Sequence, residues 1–385
     1  MSTPGPFGGG PFEGLPMFAD LARLFANQGS INWEVARQIA VWLATEGASE
    51  PNVEPLERIR LEELARVADL HVADATGLST AITGGIVSVR PVGRGEWASA
   101  TLDAWKPLLE RLATALTPAG EEPNPETQLL GNLAQVMSPV MLGLQAGSMV
   151  GHLAQVAFGP HHLPIPRHPN DELLVVGRNI DSFAADWSLP LDDVRLWICL
   201  SEIAHHAVLG RPHVRARLEA LLGTFMGGFR IDPDSLQAQL GSIDPSDMGS
   251  LEHALGDPEA LLGAMSSPEQ DHARAQIDAL VVAIEGYIDY VMDTVGTTLI
   301  GSFGALTEAL RRRRVQRGEG DRFVERLFGL SLDQDQYDRG NRFVNGVLER
   351  AGDEGLARLW RSTRELPTPA EIEAPGLWLE RISYD

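Results

Sequence analysis

The sequence has 385 residues, of which 44% are hydrophobic, so the chain can bury a large core without disulfides or structural metals. Its formal net charge of −22 repels phosphate backbones and argues against general binding of nucleic acid. The single cysteine, Cys199, excludes an internal disulfide framework and favours a cytoplasmic protein. We expect neither a secretory signal nor a membrane span, because no long uninterrupted apolar run is present.

The chain is predicted to be mainly α with a minor β element. The Gly- and Pro-rich residues 1–15 are expected to be disordered, and residues 16–385 to form a single helical domain. Apolar residues at spacings of three and four predict helices over 16–27, 32–45, 56–77, 96–116, 128–158, 191–208, 214–225, 268–296, 303–316, 320–328, 333–351 and 353–360. The clearest strand is Leu173 to Val176. Asp, Pro, Gly and Ser at about 230–267 indicate an irregular insertion.

The helix predicted over 191–208 carries a motif that could perform chemistry. Glu202 and His205 lie on one helical face, and Ser201 precedes His205 by four residues. This is the spacing of the zinc motif H-E-x-x-H, with serine in place of the first histidine. In such a motif both histidines bind the metal and the glutamate takes a proton from the metal-bound water. Taken alone, a solvated or internally satisfied Glu–His pair is the simpler interpretation.

A second helix presents three carboxylates at a spacing of four: Glu285, Asp289 and Asp293. An exposed acidic face would explain this stripe. Alternatively, Glu285 supplies a third metal ligand, since the neighbouring Gly286 would let another backbone approach closely. The sequence leaves both interpretations open.

Two further features have simpler explanations than chemistry. Cys199 could be a nucleophile activated by His205, but its apolar neighbours favour a buried core residue. The run Arg311 to Arg314 could bind a phosphate or an acidic partner. Stabilisation of a helix end, or pairing with the chain's own acids, is the favoured interpretation for these arginines.

Motifs along nearly the whole chain resemble the actinobacterial zincin-like metallopeptidase family, type 2, whose members are described as hydrolases or are associated with a deazaflavin coenzyme. No residue of this chain indicates a deazaflavin. The matching segments are Asn32-Trp33, Ala36-Arg37, Glu96-Trp97, Thr101, Trp105, Leu191 to His206, Glu285-Gly286, Tyr290 to Asp293, Gly329-Leu330, Gln336-Tyr337, Gly340, Phe343-Val344, Ala351-Gly352, Leu359-Trp360, Leu366 to Thr368, Glu371-Ile372 and Trp378-Leu379.

The resemblance implies a zincin-like helical domain in which His205 and Glu285 bind zinc and Glu202 is the general base. Ser201 occupies the position of the missing ligand, and Tyr287 stands where a second histidine is expected. Losing one ligand of three should weaken zinc binding by several kcal/mol. Zinc is therefore a possible cofactor whose binding is in doubt.

Loop histidines could replace the missing ligand. The candidates are His161, His162, His168 and His213. His206 adjoins His205, but it projects about 100° away on a helix and cannot share the same metal without distortion.

Three functions follow from these features. The leading hypothesis is a zincin-like protein with lost or weakened zinc-dependent hydrolase activity and a role in binding a peptide or protein. The second is an active zinc metallopeptidase with a rearranged ligand set. The third is a non-catalytic structural partner protein. In each case the helix over 191–208 is predicted to face the helix around Glu285 across a cleft.

Overall fold

The computed structural model describes residues 29–116, 128–229, 267–316 and 318–383. The disorder predicted for 1–15 and the helix predicted over 16–27 lie outside these residues. The insertion predicted at about 230–267 also lies outside them, apart from Ser267. That residue caps the helix that follows, because its side chain accepts a hydrogen bond from the Gln270 N–H.

Helices make up most of the described chain, which confirms the mainly α prediction. They are α1 (Trp33–Thr45), α2 (Pro55–Thr76), α3 (Arg94–Ala115), α4 (Gln128–Val156), α5 (Gly177–Asp186), α6 (Leu191–Leu209), α7 (Pro212–Gly227), α8 (Pro268–Leu299), α9 (Phe303–Val315), α10 (Glu319–Leu327), α11 (Gln334–Ala357), α12 (Pro369–Glu373) and α13 (Pro375–Ser383). Two short 3₁₀ turns, Arg358–Trp360 and Thr363–Glu365, join α11 to α12.

The minor β element is a parallel pair of strands, β1 (Ser88–Val92) and β2 (Glu172–Val176). Ser88 aligns with Glu172 and Val92 with Val176. The sequence predicted β2 but not β1. β1 is short and contains Pro91, which a two-stranded sheet tolerates because both of its strands are edges.

Small residues let α4 lie close to α1. Gly143, Gly147 and Gly151 follow each other at a spacing of four, and a Cβ on any of them would meet atoms of α1. At Gly151, for example, it would lie 2.8 Å from the Cβ of Leu43. The absence of side chains at these three positions therefore lets the backbones of α4 and α1 come into contact.

Helices α6 and α8 lie at the centre of the fold. α6 contacts α2, α5 and α8, and every residue from Ile198 to Leu209 is buried. α8 crosses α11 where Gly286 meets Gly340, and a Cβ on Gly286 would lie 2.6 Å from the Gly340 Cα. The close backbone approach that the sequence suggested at Gly286 is confirmed.

The buried apolar side chains of these helices form one core cluster, which includes Trp97, Trp105, Trp360 and Trp378. Within the ranges that the structure describes, no helix has the length and apolarity that crossing a bilayer would require. In such an apolar interior, the informative residues are the buried polar ones.

Candidate functional site

Four polar side chains lie in the fully buried part of α6. Ser201, Glu202, His205 and His206 are between 5% and 9% exposed. Buried polar groups are stable only when other groups satisfy their hydrogen bonds. The partners of these four side chains therefore define what the site can do.

Glu202 is bound by the loop that follows α4. Its Oε2 accepts a hydrogen bond from the His161 N–H at 3.0 Å and lies 2.7 Å from His161 Nδ1. Burial lowers the pKa of His161 to about 4, although the bond to Glu202 opposes this shift, so the ring is neutral at pH 7. Burial would raise the pKa of Glu202, but the bonds from His161 lower it below its ordinary value. Glu202 is thus a buried carboxylate that accepts hydrogen bonds from both the backbone N–H and the ring of the neutral His161.

His205 faces the second helix. Its Nδ1 lies 2.8 Å from the carbonyl oxygen of Ser201, and its Nε2 lies 3.4 Å from Glu285 Oε1. Burial would lower the pKa of His205, but the Glu285 carboxylate and other neighbours raise it to about 8. At neutral pH both ring nitrogens therefore carry protons, one donated to a carbonyl and one directed at a carboxylate.

His206 points to a different part of the interior. Its Nε2 lies 3.2 Å from Asp171 Oδ1. The same carboxylate accepts hydrogen bonds from the Ile82 N–H at 2.7 Å and from the N–H and hydroxyl of Thr83. The sequence did not predict this cluster, because its members are far apart in the chain and no local spacing marks them.

The loop over Glu202 depends on a glycine and an arginine. A Cβ on Gly159 would lie 2.9 Å from Glu202 Cγ, so a larger residue there would displace the carboxylate or the loop. The Arg167 Nε–H donates to the Pro160 carbonyl at 2.9 Å. Because this carbonyl and the His161 N–H belong to one peptide group, Arg167 and Glu202 bind its two ends. Neither Gly159 nor Arg167 was singled out from the sequence.

Glu202, His205 and Glu285 line a cleft of about 400 Å³ between α6 and α8, which we call the α6–α8 cleft. Its walls also include aromatic and cationic side chains: Phe158, Trp197, Arg313, Arg314 and Tyr337. The structure thus brings His205 and Glu285 together and places Glu202 beside them. A loop histidine, His161, joins the group, and its ring stacks on that of His205 with centroids 5.8 Å apart.

A zinc site of the expected type needs three side chains that converge on one point. His205 and Glu285 converge, but a serine hydroxyl stands at the first ligand position and both nitrogens of His205 are engaged. In the part of the chain that the structure describes, no three His, Cys, Asp or Glu side chains are arranged to hold a metal ion. The donor set as it stands therefore does not fit the zinc site that the family pattern implies.

Several candidate residues lie elsewhere. Tyr287 is buried against Trp360, with ring centroids 5.3 Å apart, and does not line the cleft. Glu285 and Tyr287 are two residues apart on a helix, so their side chains leave it in nearly opposite directions. His162 lines the cleft, whereas His168 lines a different cavity and His213 lines neither.

The simpler interpretations hold for Cys199 and for most of the arginine run. Cys199 is fully buried, and burial raises its pKa to about 12, so it is not a reactive thiol. Arg311 and Arg312 form ion pairs with Glu308, and Arg314 pairs with Asp289 at 3.3 Å.

The carboxylate stripe on α8 has two parts. Glu285 is buried, Asp289 is half-buried beside Arg314, and Asp293 is exposed. The interpretation as an exposed acidic face therefore holds only for Asp293, at the end of the stripe. Glu285 belongs to the interior of the site.

Comparison with known proteins agrees with this architecture. Residues 31–379 match the model of a family described as zincin-like metallopeptidase. The fold is similar to the crystal structure of a candidate hydrolase with a novel fold from Chloroflexus aurantiacus, with a TM-score of 0.65 and 25% sequence identity over 92% of this chain and 99% of that one. The search of curated proteins returned no match. The expected resemblance to zincin-like metallopeptidases is confirmed, and this chain belongs to the zincin-like metallopeptidase family.

Proposed function

We propose that this protein keeps the zincin-like fold but has lost zinc-dependent peptidase activity, and that its α6–α8 cleft binds a peptide without cleaving it. The observation that carries the proposal is Ser201. It is buried in the same helical stretch as Glu202 and His205, and of the zinc ligands that the family pattern implies it leaves His205 and Glu285. Two donors of His161 also engage Glu202 Oε2 and lower the pKa of this carboxylate, which makes it a weaker general base.

The peptide-binding part rests on the walls of the cleft. Aromatic side chains, two arginines and three carboxylates line a volume of about 400 Å³. Pockets that bind ligands commonly combine apolar walls with a few polar groups that fix orientation. The single buried cysteine fits a cytoplasmic compartment, where thiols stay reduced.

Metal content is the decisive measurement. Protein purified without chelators should contain far less than one zinc ion per chain and should not hydrolyse unstructured casein peptides. Replacing Ser201 with His should raise zinc affinity roughly 100-fold, or about 3 kcal/mol, because it restores a third ligand. Ser201→Ala is the matched control and should not raise it. Stoichiometric zinc together with peptide hydrolysis in the wild type would show that the proposal is wrong.

Peptide binding is tested separately by fluorescence anisotropy with labelled casein peptides. Trp197→Ala should weaken binding because Trp197 lines the cleft. Trp42→Ala should not, because Trp42 is 60% exposed on α1 and does not line the cleft. Equal loss in both variants, or no binding by the wild type, would contradict a peptide site in this cleft.

A second candidate is an active zinc hydrolase in which His161 replaces the missing ligand. One observation favours it: His161 lines the same cleft as His205, and the centroids of the two rings are 5.8 Å apart. This candidate requires His161 to leave Glu202, which would also free the carboxylate to act as a base. It predicts that His161→Ala abolishes both zinc binding and hydrolysis.

A further inference from the structure

A second cavity, of about 300 Å³, lies next to the α6–α8 cleft, and His161 borders both. We call it the Arg167 pocket. Much of its wall is apolar, from Trp97 on α3, Leu173 and Leu174 on β2, and Leu209 at the end of α6. Arg167 supplies a cation to this lining.

The Arg167 guanidinium has N–H donors that bind no protein acceptor in the described residues. Its Nε–H binds the Pro160 carbonyl at 2.9 Å, and its Nη2 binds the Thr101 hydroxyl at 3.1 Å. The group lies 5.8 Å from the centroid of the Trp97 ring. Because a guanidinium has five N–H donors and these bonds use two, three remain, two on Nη1 and one on Nη2.

The positive charge of Arg167 is not matched by an ion pair. Across residues 29–116, 128–229, 267–316 and 318–383, no carboxylate lies within ion-pair distance of it. The two acids that line the pocket already have partners: Asp103 pairs with Arg37 at 2.8 Å, and Glu172 pairs with Arg90 at 3.0 Å.

Arg167 is only partly exposed, so water does not fully solvate this unmatched cation. Burial lowers the pKa of Arg167 to about 10, although the more distant Glu202 carboxylate opposes the shift. The group still carries its charge at neutral pH. Charged groups withdrawn from water are normally paired, so an unpaired cation in a cavity wall indicates a place for an anion.

We propose that the Arg167 pocket binds a small monocarboxylate with an apolar body. One N–H on Nη1 and one on Nη2 form the fork that a planar carboxylate accepts in a bidentate manner. A doubly charged phosphate fits less well, because a single unmatched cation faces it and Asp103 and Glu172 lie in the same walls. This proposal does not depend on whether the α6–α8 cleft has lost zinc.

The test compares four carboxylates, acetate, butyrate, benzoate and N-acetyl-leucine, with their uncharged amides and with inorganic phosphate, by calorimetry on the full chain. At least one acid should bind about tenfold more tightly than its amide and than phosphate, since charge-assisted bidentate pairs are the strong ones. Arg167→Gln should remove this difference. Arg66→Gln, which removes a cation from the exposed face of α2, should leave it intact.

Arg167 also supports the loop over Glu202, so replacing it removes that support as well as the charge. A second pair of variants therefore leaves Arg167 unchanged. Leu174 lines the pocket and is half-buried. Leu174→Glu places a negative charge in the wall and should weaken carboxylate binding at least tenfold relative to Leu174→Gln, which has the same size without the charge. Equal binding of acids and amides, no binding of any acid, tighter binding of phosphate, or equal affinities in the two Leu174 variants would overturn the proposal.

Discussion

Replacing Gly286 with Ala should destabilise the protein, because it forces apart the two helices that cross there. The new Cβ would lie 2.6 Å from the Gly340 Cα, whereas carbon atoms in contact prefer about 3.5–4.0 Å. The helices would have to separate by about 1 Å, and no side chain can rotate away, since the obstructing atoms are backbone. Overpacking typically costs about 1–3 kcal/mol. Because the obstructing atoms are backbone, we take the upper end of this range, about 3 kcal/mol. The better helix propensity of Ala offsets about 1 kcal/mol of it, so the free energy of unfolding should fall by about 2 kcal/mol.

The assay is urea denaturation, with the midpoint and the slope compared between variants. The matched control is Gly304→Ala in α9, where a Cβ would meet nothing within 4 Å. That change should be neutral or should stabilise the protein by up to about 1 kcal/mol. If Gly286→Ala unfolds at the wild-type midpoint or above it, the close crossing of α8 and α11 is wrong.

Three further predictions concern single side chains. Burial would raise the pKa of Asp171, but the Thr83 hydroxyl and other hydrogen bonds hold it well below its ordinary value. Its stabilisation is therefore present above the unfolded pKa of about 4 and lost as the pH falls below it. The gap in urea midpoint between wild type and Asp171→Asn should shrink from pH 7 to pH 3, and a constant gap would contradict this. Asn32→Ala removes the acceptor for the Val35 N–H at the start of α1 and should cost about 1 kcal/mol in the same assay. Cys199 should react with a thiol reagent in urea but not in the native protein, and rapid native labelling would refute its burial.

The sequence predicted most helices because their apolar residues recur with the helical period. It even predicted the break in α11, where Gly352 has a φ of +61°. The predicted helices do not include α12, α13 or α5, which begins directly after β2 without a side-chain cap. The sequence did not predict β1 because the partner of that strand lies far away in the chain, and a short run containing proline gives no local signal.

At the site, the helical period predicted which residues share a face but not which groups they contact. The family resemblance implied the pairing of His205 with Glu285, whereas residue spacing alone also allowed an exposed acidic face. The bond from His161 to Glu202 was not, since a histidine in a Pro-rich loop more often lies at the surface. That loop turns inward because Gly159 leaves room for Glu202, a condition set by three-dimensional packing.

The parallel pairing of β1 with β2 affects the order in which the chain can acquire structure on the ribosome. β1 is synthesised first, yet the strand aligned with it ends at Val176, after both α3 and α4. Until then β1 has no partner strand. The helices that surround it therefore cannot pack against the complete two-stranded sheet. Contacts between distant parts of a chain form slowly and leave apolar segments exposed in the meantime. The packing around β1 therefore cannot be completed until the chain has been synthesised as far as Val176.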